Sequence, residues 1–425
     1  MDTREFGAQG LTVVDVTNSI HHARGARPRP RGLWLCRQLP FPQDSGDRVY
    51  SANLARSLAE AGAELTMAGL EPDHGAEPPN DWPIEWRTVK GPKSPPVRAL
   101  LSPMPHVAAT FATRSYRREV RALTRVPWDF VVIDHYGMGW SLPYFASRAR
   151  GRGRPVLVHV SHDHETTVYA ALYREFTGSM LKRIALWQNY VKTRVAEGRI
   201  ARQVDLLTAI TDEEARHFSK DALCAQTIVL RPGYAGADAP RAAITRETPR
   251  QVLLIGSFQW MPKQENLRLF IQAAEPLFRA RGIELHVIGR MPRKLAVEIG
   301  RASAVTHIHG FVADVRPHFA RARMAVVPEL IGGGFKLKLL DYIFGHLPVA
   351  ALRCAAAGLP PAIGKALLCR DDLCDLASGI CEVIDDTARL NAMQEEAYRH
   401  AKASFRWSDR GRTLLWAIRS RAESA

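Results

Sequence analysis

A chain of 425 residues exceeds the size at which one hydrophobic core keeps growing, so two domains of ordinary size are expected. Hydrophobic residues at 46% and charged residues at 24% are the mixture of a globular protein, and no segment approaches the roughly 20 apolar residues that span a bilayer. The 58 Lys and Arg against 43 Asp and Glu leave a formal charge of +15, which favours an anionic partner: nucleic acid, an acidic membrane surface or phosphorylated ligands.

In chain order, residues 1–30 close on HHARGARPRPR and have no periodic apolar pattern, which predicts a flexible basic arm. The first apolar run, LTVVDVT, is too short and too polar in its flanks for a signal peptide, so a cytoplasmic protein is expected. LWLC (33–36), the amphipathic RVYSANLARSLAEAG and ELTMAGL then read as strand, helix and strand. That is βαβ grammar, which implies a parallel sheet covered by helices. The Pro-rich 71–96 stretch reads as an excursion around one short strand. DFVVIDH, PVLVHVSH and DLLTAIT follow as strands, with a long helical segment from about Thr167 to Arg202 whose many Arg and Lys predict a solvated face.

Gly, Pro and small residues crowd 231–250 and mark a linker. The alternation restarts with QVLLIGS, ELHVIG, VTHIHG, MAVVPEL and LPVAAL. The fold class predicted is α/β, two Rossmann-like doubly wound domains facing a cleft. The division is an arm (1–30), a first domain (31–235), a second domain (236–404) and a terminal helix (405–425) that crosses back to the first. In such sheets ligands lie outside the carboxyl ends of the strands. Six cysteines without a CxxC pair argue against a disulfide framework and a zinc site.

Three second-domain strands end in glycine or proline, at Gly256, Gly289 and Pro328, and each places a loop at the carboxyl edge. The run IGGGFKLKLLDY sets Gly332, Gly333 and Gly334 before two lysines and a helix-like segment. Such a junction lets backbone N–H groups and a cation approach an anion, with a phosphate favoured. Taken together, LLIGSFQWMPKQENLRLFI, HVIGRMP, IHGFVADV and VVPELIGGGFKLKLLDYIFGHLPVAAL resemble the donor-binding domain of GT-B glycosyltransferases, most of all the retaining family 4 group. LPFPQDSGDRVYSANLARSLAEAGAELTMAGL is similar to that family's opening strand, glycine loop and first helix, and SHDHE (161–165) to its HNxE element.

On a helix, Lys336 and Lys338 lie about 200° apart, whereas Lys338 and Asp341 share a face. This predicts Lys338 at a diphosphate and Asp341 at the ribose hydroxyls, with Leu337, Leu340 and Phe344 turned inward. The family carries two glutamates eight positions apart here; this chain has Gly333 at the first and Asp341 at the second. The lysine-containing run also resembles the inverting glucuronosyltransferase of xanthan synthesis, so retention and inversion both stay open.

Gly256, Ser257 and Lys263 are the expected phosphate contacts, and Phe311 and Val312 the contacts to the base through backbone groups. Gly289, Arg290, Phe335 and Lys336 complete the donor set. In the first domain, Gly46 belongs to a loop that approaches the transferred sugar. The resemblance aims His162 at that sugar. Asp163 and Asp134 are candidate bases should the reaction invert, because an inverting enzyme must take a proton from the acceptor hydroxyl.

No obligatory metal or cofactor is implied beyond a nucleotide diphosphate sugar of the UDP or GDP type. The function expected is sugar transfer to an acceptor hydroxyl in surface polysaccharide or glycolipid synthesis, on a glycan, lipid-linked or small-molecule acceptor, with an anionic membrane surface as a further partner. The alternatives are a natural-product or protein glycosyltransferase, a sugar-nucleotide 2-epimerase of the same fold, and a basic nucleic-acid-binding protein. No nucleic-acid partner is expected, since no compact basic motif interleaves with aromatics.

Overall fold

The computed structural model describes residues 28–72, 76–95, 99, 101–146, 154–176, 178–221, 225–236, 243–259, 261–330 and 335–424. Most of the predicted basic arm, and Gly332, Gly333 and Gly334, therefore lie outside the described residues.

The first domain is a seven-stranded sheet of β1 (Arg31–Gln38), β2 (Glu64–Leu70), β3 (Ile84–Val89), β4 (Phe130–Asp134), β5 (Val156–Val160), β6 (Leu206–Ala209) and β7 (Gln226–Val229). The order is β3-β2-β1-β4-β5-β6-β7, and every pair is parallel. β4 and β5 are buried along their whole length, as strands covered by helices on both faces must be, and their sequences FVVID and VLVHV are correspondingly almost continuously apolar.

The second sheet contains β8 (Gln251–Ile255), β9 (Glu284–Ile288), β10 (Thr306–Gly310), β11 (Met324–Val327), β12 (Val349–Leu352) and β13 (Leu368–Arg370), in the order β10-β9-β8-β11-β12-β13. It too is parallel throughout. The short β7 and β13 were absent from the sequence reading. β7 is only half-buried and β13 has three residues, so neither leaves a long apolar run.

Strand order reverses between β1 and β4 and again between β8 and β11, so each sheet has a topological switch point where the carboxyl-end loops part and leave a crevice. Helix α1 (Gly46–Glu60) packs Leu54, Ala55 and Leu58 in one core with Leu414, Leu415 and Ile418 of the final helix, Trp407–Ser424. Gly411 permits this contact, because a Cβ there would stand 2.0 Å from the Ser57 carbonyl oxygen. The last helix thus lies on the first domain. Arg231 Nε donates to the Gly358 carbonyl at 3.0 Å, and Phe335 packs against the cores of both domains; both contacts fasten the seam.

The segment predicted as one helix from Thr167 is two, Glu165–Glu175 and Met180–Gln203. The second helix has the solvated basic face expected of it, and it exposes apolar side chains as well. Met180, Ile184, Trp187, Val191 and Val195, spaced to share one side of a helix, are all exposed, with exposed Arg183, Arg194 and Arg199 flanking them. No described helix is long and apolar enough to cross a membrane.

Candidate active site

In the second domain, β8 and β9 end in glycines that nearly touch. Gly289 has φ +135°, and a Cβ on it would come within 1.7 Å of the Gly256 carbonyl oxygen. Only glycine lets these loops close together. Gly256 N–H donates to Ile288 and Gly289 N–H to Gly310, at 3.0 and 2.7 Å. Ser257 is exposed beside them. Past β9, the Arg290 guanidinium lies over the Phe311 ring at 4.8 Å. That ring is 65% exposed, a flat apolar surface at the sheet edge, and Val312 beside it is half-buried.

The helix Lys338–Phe344 starts opposite Gly256, and its Tyr342 is tied to the end of β8, where the Ile255 N–H donates to Tyr342 Oη at 2.6 Å. Lys338 Nζ lies 2.5 Å from Glu329 Oε1, and Lys336 Nζ 3.7 Å from Glu329 Oε2. Both lysines therefore converge on one anion, contrary to the 200° separation expected of them. The helix begins only at Lys338, so helical geometry does not govern Lys336.

Glu329, 7% exposed, would be pushed up by burial, but the charges of Lys338 and then Lys336 outweigh this and hold its carboxyl below the usual range. Burial, then the Lys338 charge, lowers the Lys263 ammonium, which Glu329 opposes. Three cations thus crowd round one carboxylate. Asp341 is accessible to water yet walled by protein at the cleft, and this surrounding raises it to about 6 against the pull of Lys338. Leu340 and Phe344 turn inward as expected. Leu337 packs against the second-domain core as expected, and its Cδ1 also reaches the first domain: a Cβ on Gly46, at the start of α1, would lie 3.3 Å from it. Phe335 is a packing residue of the seam.

On the first-domain wall, the carboxyl ends of β4 and β5 bring Asp134 and His162 together, Oδ1 to Nε2 at 2.6 Å. Trp34 Nε1 donates to the other Asp134 oxygen at 2.8 Å, and Ser51 Oγ lies 3.4 Å from His162 Nε2. Burial disfavours charge on both partners. For Asp134 it is outweighed by the His162 charge and by hydrogen bonds from His162 and Trp34, and for His162 by the Asp134 charge and hydrogen bond. The carboxyl ends below its ordinary range and the imidazole above it. Among the described residues, His162 Nδ1 is buried without a hydrogen-bond partner, and so is Asp163 Oδ1. Burial, then repulsion from Glu165, raises Asp163 to about 7, while Lys336 of the other domain draws it down.

Three residues here, His135, Arg37 and Glu329, are not singled out by the sequence. His135 stands at φ 71°, a strained backbone for a non-glycine residue that clusters at functional sites. Its Nδ1 accepts from the Gly137 N–H at 3.0 Å, so its Nε2 carries the proton and donates to Glu165 Oε1 at 3.0 Å. Arg37 meets Asp47 at 2.5 Å. These two, with Ser51 and Asp134, border a cavity of about 90 Å³. Glu329 is the third, and only its position after a strand-ending proline marks it in the sequence.

Comparison with known families bears on this arrangement directly. Residues 249–386 match the model described as glycosyl transferases group 1, and residues 45–233 match the glycosyl transferase 4-like domain. The chain belongs to the group 1 glycosyltransferases. No curated protein matches it. Among solved structures, this glycosyltransferase is similar to WaaG, a glycosyltransferase involved in lipopolysaccharide biosynthesis, at 17% identity and TM-score 0.64 over 90% of this chain and 99% of that one. It is also similar to Anabaena HepE in complex with UDP and glucose, at 15% and 0.58 over 92% and 100%. For TarM the figures are 12% and 0.54, over 70% of this chain but only 57% of TarM. The shared architecture is GT-B, and the donor of this glycosyltransferase is a nucleotide sugar.

Proposed function

We propose that the enzyme transfers a sugar from a UDP-sugar to a hydroxyl of a glycan or lipid-linked acceptor at an anionic membrane surface, as in surface polysaccharide or glycolipid synthesis. The observation that carries the donor half is the convergence of Lys263, Lys336 and Lys338 beside Gly256, across the cleft from His162. When the bond from the anomeric carbon to the β-phosphate oxygen breaks, charge grows on the departing diphosphate, and fixed cations in a walled site stabilise it without reorganising. Asp341 suits the ribose diol, and Phe311 under Arg290 offers the base a stacking face. UDP is favoured over GDP by analogy with HepE, solved with UDP and glucose.

His162, its Nε2 engaged by Asp134, would turn Nδ1 toward the sugar. With both oxygens engaged, Asp134 acts as a positioning residue. Asp163, half ionised near neutral pH, is the better base for the acceptor proton. The exposed apolar stripe of Met180–Gln203, edged by arginines, fits a headgroup interface of negative charge, and supports a peripheral association of the first domain with a membrane.

Thermal unfolding with UDP, GDP, TDP and ADP tests the donor, each repeated on Lys338→Ala. A nucleotide at about 100 times its Kd should stabilise by about 2.7 kcal/mol. UDP is expected to give the largest rise and the variant to lose it. No response to any nucleotide would remove the basis of the reading. Product analysis then separates transfer from epimerisation, since an epimerase converts the UDP-sugar without an acceptor.

A further inference from the structure

On the outer edge of the second sheet, His307 of β10 is the direct register partner of His286 of β9. Side chains alternate along strands, so Glu284 and His286 emerge on one face with His307 and His309. His318, on the helix Arg316–Arg321, packs edge-on against His309 with ring centroids 4.8 Å apart. Four imidazoles and a carboxylate therefore meet on a surface that the transfer reaction does not use.

Their geometry is close to that of a metal-binding set. His286 Nε2 lies 3.0 Å from Glu284 Oε2, and His307 Nε2 lies 3.9 Å from Glu284 Oε1. One ligating atom from each of the three residues lies within 4.8 Å of the others. Bonds of about 2.0–2.1 Å in a tetrahedral site put ligand atoms about 3.3 Å apart. A side-chain rotation closes the remaining gap, and the His307 and Glu284 side chains, 47% and 48% exposed, have room to make it. Their exposure also leaves the fourth position to water.

The surrounding groups match what a ligating histidine needs. His286 Nδ1 lies 2.9 Å from His309 Nε2. When Nδ1–H donates to His309, the His286 Nε2 lone pair and the Glu284 carboxylate face each other as two acceptors, an arrangement that a cation between them relieves. Ligating histidines are oriented in this way by a partner on the other ring nitrogen. Gln251 Nε2 steadies the carboxylate by donating to Glu284 Oε2 at 3.2 Å.

We propose that Glu284, His286 and His307 bind a borderline transition-metal ion, Zn²⁺ above all, with His309 as the positioning residue. Two imidazoles and a carboxylate suit Zn²⁺ and its neighbours and not Mg²⁺, which prefers an all-oxygen octahedron. The ion would strap the edge strand β10 to β9, the two strands whose carboxyl ends lead to Arg290 and Phe311.

The test uses the full chain, stripped with chelator, dialysed and titrated with ZnCl₂ by calorimetry and with Co²⁺ by visible absorption. A single saturable equivalent is expected, unaffected by millimolar Mg²⁺. His286→Ala and His307→Ala should each weaken it at least about tenfold, and His309→Ala by about 10–100-fold. His307→Cys, which keeps a ligand, should restore binding and add a thiolate-to-Co²⁺ band. Replacing His21 and His22 near the N-terminus should change nothing. Absence of saturable binding, or binding that survives both His286→Ala and His307→Ala, overturns the proposal. The half-exposed His307 keeps the test valid should the His286 variant fold poorly, since its removal disturbs no core packing.

Discussion

Glu329→Gln probes the charge balance of the donor site most directly. In the unliganded enzyme Glu329 is the internal counter-ion of Lys338 and Lys336, with side chains only 7%, 13% and 12% exposed respectively. Removing one charge of a buried pair costs about 3–5 kcal/mol, because the partner is left uncompensated. Glutamine still accepts a hydrogen bond from Lys338, and the cleft admits water, so the low end, about 3 kcal/mol, is expected. For a domain of this size that is a fall of about 6–12 °C in Tm. The same substitution should tighten UDP binding, since the diphosphate no longer competes with a carboxylate for Lys338. A gain of about 1.4 kcal/mol is tenfold in Kd. Scanning calorimetry with and without UDP, followed by titration calorimetry, reads both effects. A variant as stable as the wild type that binds UDP no better would refute Glu329 as the counter-ion.

Burial raises Asp163, Glu165 and Glu197 to about 7 and Glu214 to about 8. A raised carboxyl means that the folded state holds protons the unfolded chain has released, so stability should fall as pH rises from about 4 to 8, by up to about 1.4 kcal/mol per pH unit for each group. Both backbone N–H groups that Glu214 accepts, from Ile210 and Thr211, go to its Oε2. Glu214→Gln can keep them with one oxygen, and urea denaturation should find it more stable than wild type at pH 8.5 and little changed at pH 5. Asp163→Asn should lower kcat by about 10²–10⁴ with UDP binding unchanged if Asp163 takes the acceptor proton; full activity would transfer that task to the leaving phosphate. Ile184→Glu with Trp187→Glu should abolish flotation with phosphatidylglycerol vesicles and leave UDP binding intact, and undiminished flotation would exclude this helix as the membrane face.

Most of the fold was legible because parallel strands covered on both faces leave continuous apolar runs, and helices leave a 3.6-residue period. Gly256 and Gly289 were legible for a related reason: a strand that ends in glycine is often one whose loop must approach another backbone closely, as these two do. Residues whose meaning depends on pairing across the fold were not. Asp134 and His162 lie at the carboxyl ends of neighbouring strands but are separated by 28 positions, and nothing in either segment announces that one holds the other. The two lysines converge because Lys336 lies two residues before the helix begins, where helical angles do not apply.

The same limit applies to Glu329 and to the histidines at the sheet edge. A glutamate after a strand-ending proline and the alternation in THIHG are both visible in the sequence, but their partners arrive through strand register and helix placement. Charge explains why such groups are found in pairs: a buried or crowded ionisable side chain persists only where another group offsets its cost. In this enzyme the offset is internal at Glu329 and His162, where carboxylate and cation have already met before any substrate arrives. On the proposed reading, the donor displaces one anion with another at Lys338, so affinity for the diphosphate would measure the difference between two electrostatic contacts and not the strength of one. That difference would let a crowded cationic site hold the diphosphate through transfer and still release it afterwards.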